Sequence, residues 1–436
     1  MMDMLKSNEL SKKFHDVIPG GAHTYAKGDD QYPESLAPYI VRGEGCHVWD
    51  LDGNEYIEYG MGLRAVSLGH AYKPVVEAVH KQICNGNNFV RPAIIELECA
   101  QMLLEMIESA EMVKFGKNGS DATSAAIKLS RAYTGREYVA ICKDHPFFSV
   151  DDWFIGTTPM QAGIPKAVQD LTLTFGYNDI DSLEALFQQY ENQIACVILE
   201  AEKDTPPVDN FLHRAQQLCR QAGTVFILDE MITGFRWHNG GGQKFHDIVP
   251  DLSAFGKAMA NGFSVSALAG KREIMQLGGL HHDRERVFLL SLTHGAETPS
   301  LAAAMATMKI YQQEPVVDTL WRQGDRLAAA VNKAIAEHEL QDYFMLAGRP
   351  CNLVYMTLDR EKKRSQAFRT LFLQEIIKRG LLAPSLIVSY SHTDADIDRT
   401  AEVFYEALGV YRQAIENGVD NYLVGRPVKP VWRRFN

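Results

Sequence analysis

The amino-acid sequence predicts an α/β fold: a large domain with a mostly parallel sheet, and a smaller α+β lobe formed from the chain ends. From about residue 73, helical segments alternate with continuous apolar runs, as expected for strands buried on both faces. The pattern changes again near residue 305. We therefore expect an N-terminal arm and hairpin over 1–72 that packs with the small lobe, a large ligand-binding domain over 73–305, and a small C-terminal domain over 306–436.

The N-terminal segment predicts a short helix followed by a hairpin. Residues 9–18 have amphipathic helical spacing and end at Pro19-Gly20-Gly21, which stops a helix. Two strand-like stretches, 47–50 and 56–59, flank Asp52-Gly53-Asn54, a composition typical of a tight turn.

The alternating region predicts a sheet with polar residues at its strand ends. Its expected strands are 138–142, 195–200, 225–229 and 264–269, and its expected helices are 73–84, 94–108, 181–192 and 211–222. The C-terminal part predicts a helix from 305 to 337 broken near Glu314-Pro315, strands over 352–356 and 386–390, a helix over 364–379 and a final helix. Ligands of parallel sheets bind beyond the carboxyl ends of the strands. Asp229, which ends its strand, is therefore a candidate site residue.

Composition and charge exclude several classes of protein. The chain is 46% hydrophobic and 23% charged, and its formal charge of −11 comes without a long basic run, so we expect no nucleic-acid partner. Seven scattered cysteines without a Cys-x-x-Cys motif predict free thiols in a reducing compartment. No stretch has the composition of a signal peptide or a bilayer span, so we expect a cytoplasmic protein without a membrane partner.

Lys257 and Asp229 together suggest a chemistry that neither suggests alone. A lysine amine can form a Schiff base with an aldehyde cofactor, and a buried carboxylate can keep a pyridine nitrogen protonated. Taken singly, Lys257 also fits a surface lysine, and Asp229 also fits a solvated acid at a strand end. With a glycine turn upstream, the two residues favour an enzyme that uses pyridoxal phosphate.

The glycine turn Asn118-Gly119-Ser120-Asp121 is the candidate phosphate site. It opens a predicted helix, and the backbone N–H groups and dipole at a helix N-terminus bind anions. Ser120 can add a hydroxyl donor. A helix cap without any ligand would use the same residue types.

Three further residues are candidates for contact with the cofactor. Phe147 is favoured over Phe148 to stack on a flat ring, although core packing would also explain both side chains. Glu200 ends its strand as Asp229 does and could orient cofactor or substrate, or be an ordinary strand-end acid. Met231 could line the cofactor or simply pack.

Two other motifs are interpreted without a ligand. Asn239-Gly240-Gly241-Gly242 lacks the Lys-Ser/Thr that follows in a P-loop, and we interpret it as a flexible loop. His281-His282-Asp283 lacks a third spaced ligand, so no metal is expected.

Several motifs carry a resemblance to a known family. They are IPGG at 18–21, WDLDGNEY at 49–56, LGH at 68–70, LDEMITGFR at 228–236, and PDL at 250–252 followed by Gly256-Lys257. With these motifs in order over nearly the whole chain, the sequence resembles the class III aminotransferases, pyridoxal phosphate enzymes of fold type I. It is most similar to their glutamate-1-semialdehyde aminomutase-like branch.

The resemblance implies roles for individual residues. Lys257 holds the cofactor aldehyde and moves the proton, and Asp229 keeps the pyridine nitrogen protonated. Gly119 and Ser120 bind the phosphate, and residues 73–305 are the cofactor-binding domain. Thr293 reaches the phosphate from a partner subunit, which implies a homodimer with active sites at the interface.

The chain departs from the family pattern at three places. Asn118-Gly119-Ser120-Asp121 replaces the usual Ser-Gly-Thr-Glu, a conservative change. His145-Pro146-Phe147-Phe148-Ser149 replaces the usual aromatic-His-Gly motif. Lys27 stands at or near the place of an arginine that, in the aminomutase, resembles a clamp for the substrate carboxylate, and lysine cannot give arginine's planar two-bond contact.

These observations favour an aminotransferase that moves an amino group from an amino acid donor to a keto or aldehyde acceptor. The acceptor is expected among biosynthetic intermediates, such as a sugar or a phosphorylated compound, on a faint likeness that includes GRPVKPV at 425–431. One alternative is an intramolecular aminomutase of the glutamate-1-semialdehyde type, and another is a non-catalytic scaffold that binds pyridoxal phosphate. A nicotinamide enzyme fits less well, because no Gly-x-Gly-x-x-Gly follows a strand.

Overall fold

The computed structural model describes residues 4–436. Its strands are β1 (Ile40–Glu44), β2 (His47–Asp50), β3 (Glu55–Glu58), β4 (Met112–Gly116), β5 (Tyr138–Cys142), β6 (Thr172–Phe175), β7 (Ile194–Glu200), β8 (Val225–Asp229), β9 (Leu252–Phe255), β10 (Ser266–Gly270), β11 (Phe344–Ala347), β12 (Val354–Thr357) and β13 (Leu381–Leu382). Its helices are α1 (Leu5–Val17), α2 (Met61–Arg64), α3 (Lys73–Ile83), α4 (Ile94–Met106), α5 (Gly119–Thr134), α6 (Asp152–Ile155), α7 (Lys166–Gln169), α8 (Ile180–Gln189), α9 (Phe211–Ala222), α10 (Gly241–Phe245), α11 (Arg272–Met275), α12 (Thr298–Gln313), α13 (Val316–Glu337), α14 (Gln366–Ile377) and α15 (Asp394–Asn417).

The larger of two units contains a seven-stranded sheet. This unit comprises residues 64–66, 73–317 and 434–436. Its strand order is β4-β10-β9-β8-β7-β5-β6, with parallel pairing from β9 to β6 and antiparallel pairing of β10 with both neighbours. β7 and β8 are buried along their whole length, which explains their continuous apolar sequence. The predicted α/β fold with a mostly parallel sheet is confirmed.

The core of this unit packs helices against the sheet. Phe211, Ala215 and Cys219 of the amphipathic helix α9 join Val197, Leu199, Phe226 and Leu228 in one buried cluster. On apolar burial alone, each such large side chain stabilises the fold by about 1.5–3 kcal/mol. This packing fixes the strands whose carboxyl ends carry the candidate site residues.

The smaller unit comprises the residues up to Leu63 together with 67–72 and 318–433. The sequence-predicted hairpin is present as antiparallel β2 and β3, in a four-stranded sheet of order β1-β2-β3-β13. β11 and β12 form a separate antiparallel pair, and α14 packs against α15. Residues 61–64, assigned as α2, are not a regular helix, since φ is positive at Met61, Leu63 and Arg64.

The structure differs from the sequence prediction at several elements. The predicted strand 386–390 is wrong, because that stretch makes only an isolated bridge between Leu386 and Leu353. The division of the chain falls after 317 rather than 305, since α12 packs on α3 and α4 of the larger unit. The short strands β4, β6 and β9 are absent from the sequence prediction, because polar residues interrupt them, whereas the equally short β5 and β8 are almost continuously apolar. Within residues 4–436, no helix has both the length and the apolar composition of a bilayer span.

Candidate active site

Seven of the eight candidate residues line one cavity of about 400 Å³ in the larger unit. Its lining residues are Ala65, Lys117, Asn118, Gly119, Ser120, Phe147, Phe148, Val150, Glu200, Asp229, Met231, Ile232, Lys257, Gly262, Phe263, Ser264 and Val265. Residues far apart in the chain therefore meet beyond the carboxyl ends of β7, β8 and β9. Thr293 is not in this lining.

Strand register brings the two carboxyl groups together. Glu200 and Asp229 end adjacent parallel strands and are paired in register, and Asp229 is paired in turn with Ala254 of β9. Both side chains are buried, with 4% and 3% exposure. Asp229 Oδ1 accepts the backbone N–H of Met231 at 3.0 Å.

Lys257 follows β9 through a backbone that needs a glycine. A Cβ at Gly256 would lie 2.8 Å from Sδ of Met231, so only glycine allows the chain to pass so close. Lys257 begins a short 3-10 turn with φ of 46°, a left-handed value that is strained for lysine. This conformation places the lysine in the cavity with Asp229 and Glu200.

Burial dominates the electrostatics of these three groups. It lowers the pKa of Lys257, although Asp229 and Glu200 oppose the shift. Burial also raises the pKa of Asp229 to about 6, against the attraction of Lys257. The pKa of Glu200 is raised to about 7 by burial and by the charge of Asp229. A lysine with a lowered pKa has more of the neutral, nucleophilic amine at a given pH.

The N-terminus of α5 forms another part of the cavity wall. Asn118 Oδ1 caps the helix by accepting the N–H of Asp121 at 3.1 Å. The N–H groups of Gly119 and Ser120 lie in the first turn, where intrahelical bonds do not use them. Ser120 Oγ accepts the N–H of Val150 at 2.9 Å, and its own hydroxyl hydrogen remains available to donate. This wall has the donors that a phosphate group requires.

Phe147 and Phe148 differ sharply in exposure. Phe148 is 2% exposed and its carbonyl accepts the hydroxyl of Thr123 at 2.8 Å. Phe147 is 48% exposed and lines the cavity, with its ring edge-on to Phe154 at 5.8 Å. Of the two rings, only that of Phe147 has a large open surface on which a flat ligand could stack.

Met231 and Thr293 have different surroundings. Met231 is buried between two backbone segments, because a Cβ at Gly119 or at Gly256 would approach its sulfur to 3.1 or 2.8 Å. Thr293 is exposed, and its carbonyl accepts Nδ2 of Asn88 at 3.1 Å.

Sequence reasoning missed several contributors to the site. Ala65, Lys117 and residues 262–265 also line the cavity, but they lie in loops and match no motif that would mark them in the sequence. His145 was noted only as part of a motif. Its Nδ1 accepts the backbone N–H of Glu200 at 3.0 Å, and burial lowers the pKa of His145 to about 3, so the ring is neutral.

The glycine segment 239–242 is not a flexible loop, and that interpretation is wrong. It leads into α10, and the N–H groups of Gly242 and Gln243 each bind the buried carboxylate of Glu230 at 2.8 Å. Gly241 has φ of 85°, and a Cβ there would lie 2.8 Å from Oε1 of Glu230. The glycines let this backbone wrap a carboxylate of the chain itself.

Comparison with known proteins identifies the family. The family model for class-III aminotransferases matches residues 28–344. The chain belongs to the class-III aminotransferases. It is 32% identical to the glutamate-1-semialdehyde 2,1-aminomutase of Acetivibrio thermocellus over 429 residues, with 92% of this chain and 97% of the relative covered. The corresponding aminomutase of Desulforamulus reducens is 30% identical over 424 residues, with the same coverage.

Solved structures agree with this assignment. The FumI protein of Sphingopyxis sp. MTA144, solved in its PLP internal aldimine form, is 25% identical with a TM-score of 0.86 over 95% of this chain and 98% of that chain. An omega-transaminase from Sphaerobacter thermophilus is 26% identical with a TM-score of 0.82 over 93% and 97%. The predicted resemblance, the fold type I architecture and the pyridoxal phosphate cofactor are confirmed.

The residues of the cavity fit this cofactor. A Cβ at Gly119 or Gly256 would lie 3.1 or 2.8 Å from Sδ of Met231, so the absence of a side chain at both positions lets the backbone and Met231 line the cavity together. Oε2 of Glu200 is buried without a hydrogen-bond partner among residues 4–436, so a polar ligand would satisfy it. Donors on one wall and carboxyl groups on the other match a phosphate and a protonated pyridine nitrogen.

Proposed function

We propose that the chain is a pyridoxal phosphate-dependent aminotransferase that moves an amino group from an amino acid donor to a keto or aldehyde acceptor. One observation carries the proposal: Lys257, Asp229 and the N-terminus of α5 line the same cavity. When bound, the cofactor supplies an aldehyde that condenses with amines and a ring that withdraws electrons.

Lys257 is the proposed catalytic residue. With the cofactor bound, Lys257 would hold its aldehyde carbon through Nζ, with release of water, and the lowered pKa of the amine favours this bond. Once an amine substrate displaces it, the same nitrogen is free to take the proton from the α-carbon of the substrate. Asp229 would hold a protonated pyridine nitrogen and remain ionised, because a nearby cation lowers a carboxyl pKa.

The other candidate residues hold and orient the cofactor in this proposal. Gly119 and Ser120 bind the phosphate through backbone N–H groups and the serine hydroxyl. Phe147 would stack on the ring of the cofactor, and Met231 would line its site. Glu200 contacts the ligand through its unpartnered oxygen.

The acceptor is proposed to be a biosynthetic intermediate, such as a sugar or a phosphorylated compound. Lys27, which replaces the arginine of the aminomutase pattern, is exposed and offers a point charge rather than a planar clamp. This argues against glutamate semialdehyde as the substrate.

An intramolecular aminomutase is the second candidate function. The relatives that are 30% and 32% identical are glutamate-1-semialdehyde 2,1-aminomutases, which favours this candidate. An aminomutase returns nitrogen to the same carbon skeleton and exchanges little with free keto acids. Incubation with a labelled amino donor and separate keto acceptors distinguishes the two, since label appears in a different carbon skeleton only for an aminotransferase.

The absorption spectrum of the purified protein tests the proposal. We expect a cofactor band that an amino donor converts to the pyridoxamine form, and no such conversion in Lys257→Ala. Lys244→Ala, which removes an exposed lysine paired with Glu108 at 2.9 Å, is the matched control and should behave as the wild type. If no cofactor band appears even after pyridoxal phosphate is added, the proposal of a pyridoxal phosphate enzyme is refuted. The alternative of a non-catalytic scaffold that binds pyridoxal phosphate would then lack support as well.

We propose in addition that the protein is a homodimer, located in the cytoplasm, in which Thr293 contacts the phosphate of the partner site. Exposed Leu292 adjoins Thr293, and Asn88, which bonds the Thr293 carbonyl, adjoins exposed Phe89 and Val90. Such contiguous apolar exposure favours an interface. All seven cysteines are free thiols, in agreement with a reducing compartment.

Subunit complementation tests the dimer and the position of Thr293 together. Thr293→Glu places a carboxylate against the phosphate, and Lys257→Ala removes the amine, so each variant alone should be inactive. Mixed dimers should regain activity, because one site then has both an intact lysine and an intact partner threonine. If Thr293 acted within its own subunit, the mixture would stay inactive.

A further inference from the structure

Glu200 and Asp229 form a pair of buried carboxyl groups at one edge of the sheet. They end neighbouring parallel strands in register and line the same cavity as Lys257. The charge of Asp229 raises the pKa of Glu200, so the two carboxylates repel each other when both are ionised away from water. A single proton held by the pair removes this repulsion, as in other carboxyl pairs that share a site.

The two members of the pair differ in their hydrogen bonds. Asp229 accepts the N–H of Met231 through Oδ1, which favours its ionised form. Oε2 of Glu200 is buried and has no hydrogen-bond partner among residues 4–436. A carboxylate oxygen in that position is costly, whereas a protonated carboxyl group has an O–H that can donate to a ligand.

Charged and titratable groups surround Glu200 on several elements. They are Asp229 on β8, Lys257 after β9, Lys203 after β7, and Arg64. His145 adjoins the Glu200 backbone and is neutral. Despite three cations, burial and Asp229 together raise the pKa of Glu200 to about 7, above that of Asp229 at about 6. This order supports the assignment of the shared proton to Glu200.

We propose that Glu200 carries the proton of this pair and donates a hydrogen bond from Oε2 to an acceptor oxygen in the cavity, while Asp229 stays ionised. The acceptor oxygen belongs either to the cofactor, as a phenolate, or to the substrate, as a carbonyl or carboxylate. The inference rests on the proposed function, since both acceptors belong to it.

Glu200→Gln tests the proposal, because an amide N–H₂ group is a permanent donor of nearly the same shape. In the wild-type holoenzyme, raising the pH from 6 to 9 should lower the affinity for the cofactor or raise the KM of the substrate by about tenfold. This is the effect of losing one hydrogen bond to a charged group. Glu200→Gln should match the wild type at pH 6 and lack this loss at pH 9. A change in cofactor affinity indicates the phenolate, and a change confined to KM indicates the substrate.

Glu202→Gln is the matched control. Glu202 is a fully buried glutamate two positions along that pairs with His246 at 3.1 Å and does not line the cavity. It should keep the pH dependence of the wild type. A Glu200→Gln holoenzyme that is weakened at pH 6 as much as at pH 9 would overturn the proposal, because the ligand would then require the carboxylate.

An infrared measurement on the wild-type holoenzyme decides the question if Glu200→Gln does not fold. A protonated carboxyl C=O band should be present at pH 6, vanish by pH 9, and move in Glu200→Asp. Its absence at pH 6 would overturn the assignment. The absorption band of the bound cofactor distinguishes failure of the proposed function from failure of this inference. If the band is absent, the proposed function is refuted. If the band is present but the infrared band is absent, only the protonated state of Glu200 is refuted.

Discussion

Asp229 and Glu230 are adjacent buried carboxyl groups with opposite surroundings. Glu230 accepts the N–H groups of Gly242 and Gln243 and the hydroxyl of Thr233, so its charge is met by the protein itself. Asp229 accepts the N–H of Met231 and faces the cavity beside the unpartnered oxygen of Glu200. A buried carboxyl group whose oxygens accept hydrogen bonds from the protein stabilises the structure. A buried carboxyl group with an oxygen that no protein donor contacts is available to bind a ligand.

The largest expected effect tests the Asp229 side of this comparison. Asp229→Asn should lower kcat by about 10²–10⁴-fold, because an amide cannot keep the pyridine nitrogen protonated. The free energy of unfolding of the apoprotein should not fall at pH 8, since burial has raised the pKa of Asp229 and its ionised form opposes folding. Steady-state kinetics and urea unfolding of the same preparation measure both. A large loss of stability with kcat retained would contradict the assignment of Asp229 to ligand binding rather than to the structure.

Glu230→Gln tests the other side. It should lower the free energy of unfolding by about 1–3 kcal/mol, because the new amide N–H₂ faces backbone N–H donors and leaves at least one unpaired. The kcat of the folded fraction should change little. Urea unfolding followed by fluorescence gives the stability, and titration of active sites gives the folded fraction. A variant as stable as the wild type would show that the α10 turn does not depend on this carboxylate.

The pH dependence of apoprotein stability sharpens the contrast for Glu200. A carboxyl group whose folded pKa is raised stabilises the fold below its unfolded pKa of 4.5, and this contribution is lost as pH rises toward 7. Relative to the wild type, Glu200→Gln should therefore gain stability between pH 5 and pH 8, on the order of 2 kcal/mol. Denaturant unfolding at each pH measures the difference. A pH-independent difference would mean that Glu200 does not titrate in this range.

The smallest expected effect concerns the glycines around Glu230. Gly241→Ala and Gly135→Ala both place alanine at a positive φ, but only the former brings a Cβ within 2.8 Å of Glu230, while Gly135 has open space. Left-handed strain should lower the stability of each variant by about 1 kcal/mol. The contact should lower that of Gly241→Ala by about 1 kcal/mol more. Comparing the thermal unfolding of the two variants measures the contribution of the contact between the new Cβ and Glu230. Equal losses of stability would show that this contact has no effect.

The sequence by itself determined the fold class, the cofactor and the identity of the candidate residues. Continuous apolar strands can only be buried on both faces, and a lysine, a strand-end carboxylate and a glycine turn in order are typical of one chemistry. These patterns are local in the sequence and do not depend on how the side chains pack. The strands ending at Glu200 and Asp229 were predicted for the same reason, and the hairpin of β2 and β3 was predicted from the turn composition of Asp52-Gly53-Asn54.

Only the tertiary structure decided which of these residues meet and in what electrostatic state. The in-register pairing of Glu200 with Asp229, the exposure of Phe147 and the wrapping of Glu230 by residues 241–243 depend on strand register and on contacts between segments distant in sequence. The false strand at 386–390 has the same origin, because apolar composition does not reveal whether a partner strand lies beside it. Burial determines the pKa values of these side chains and which hydrogen-bond donors reach them, and burial arises only when the chain packs.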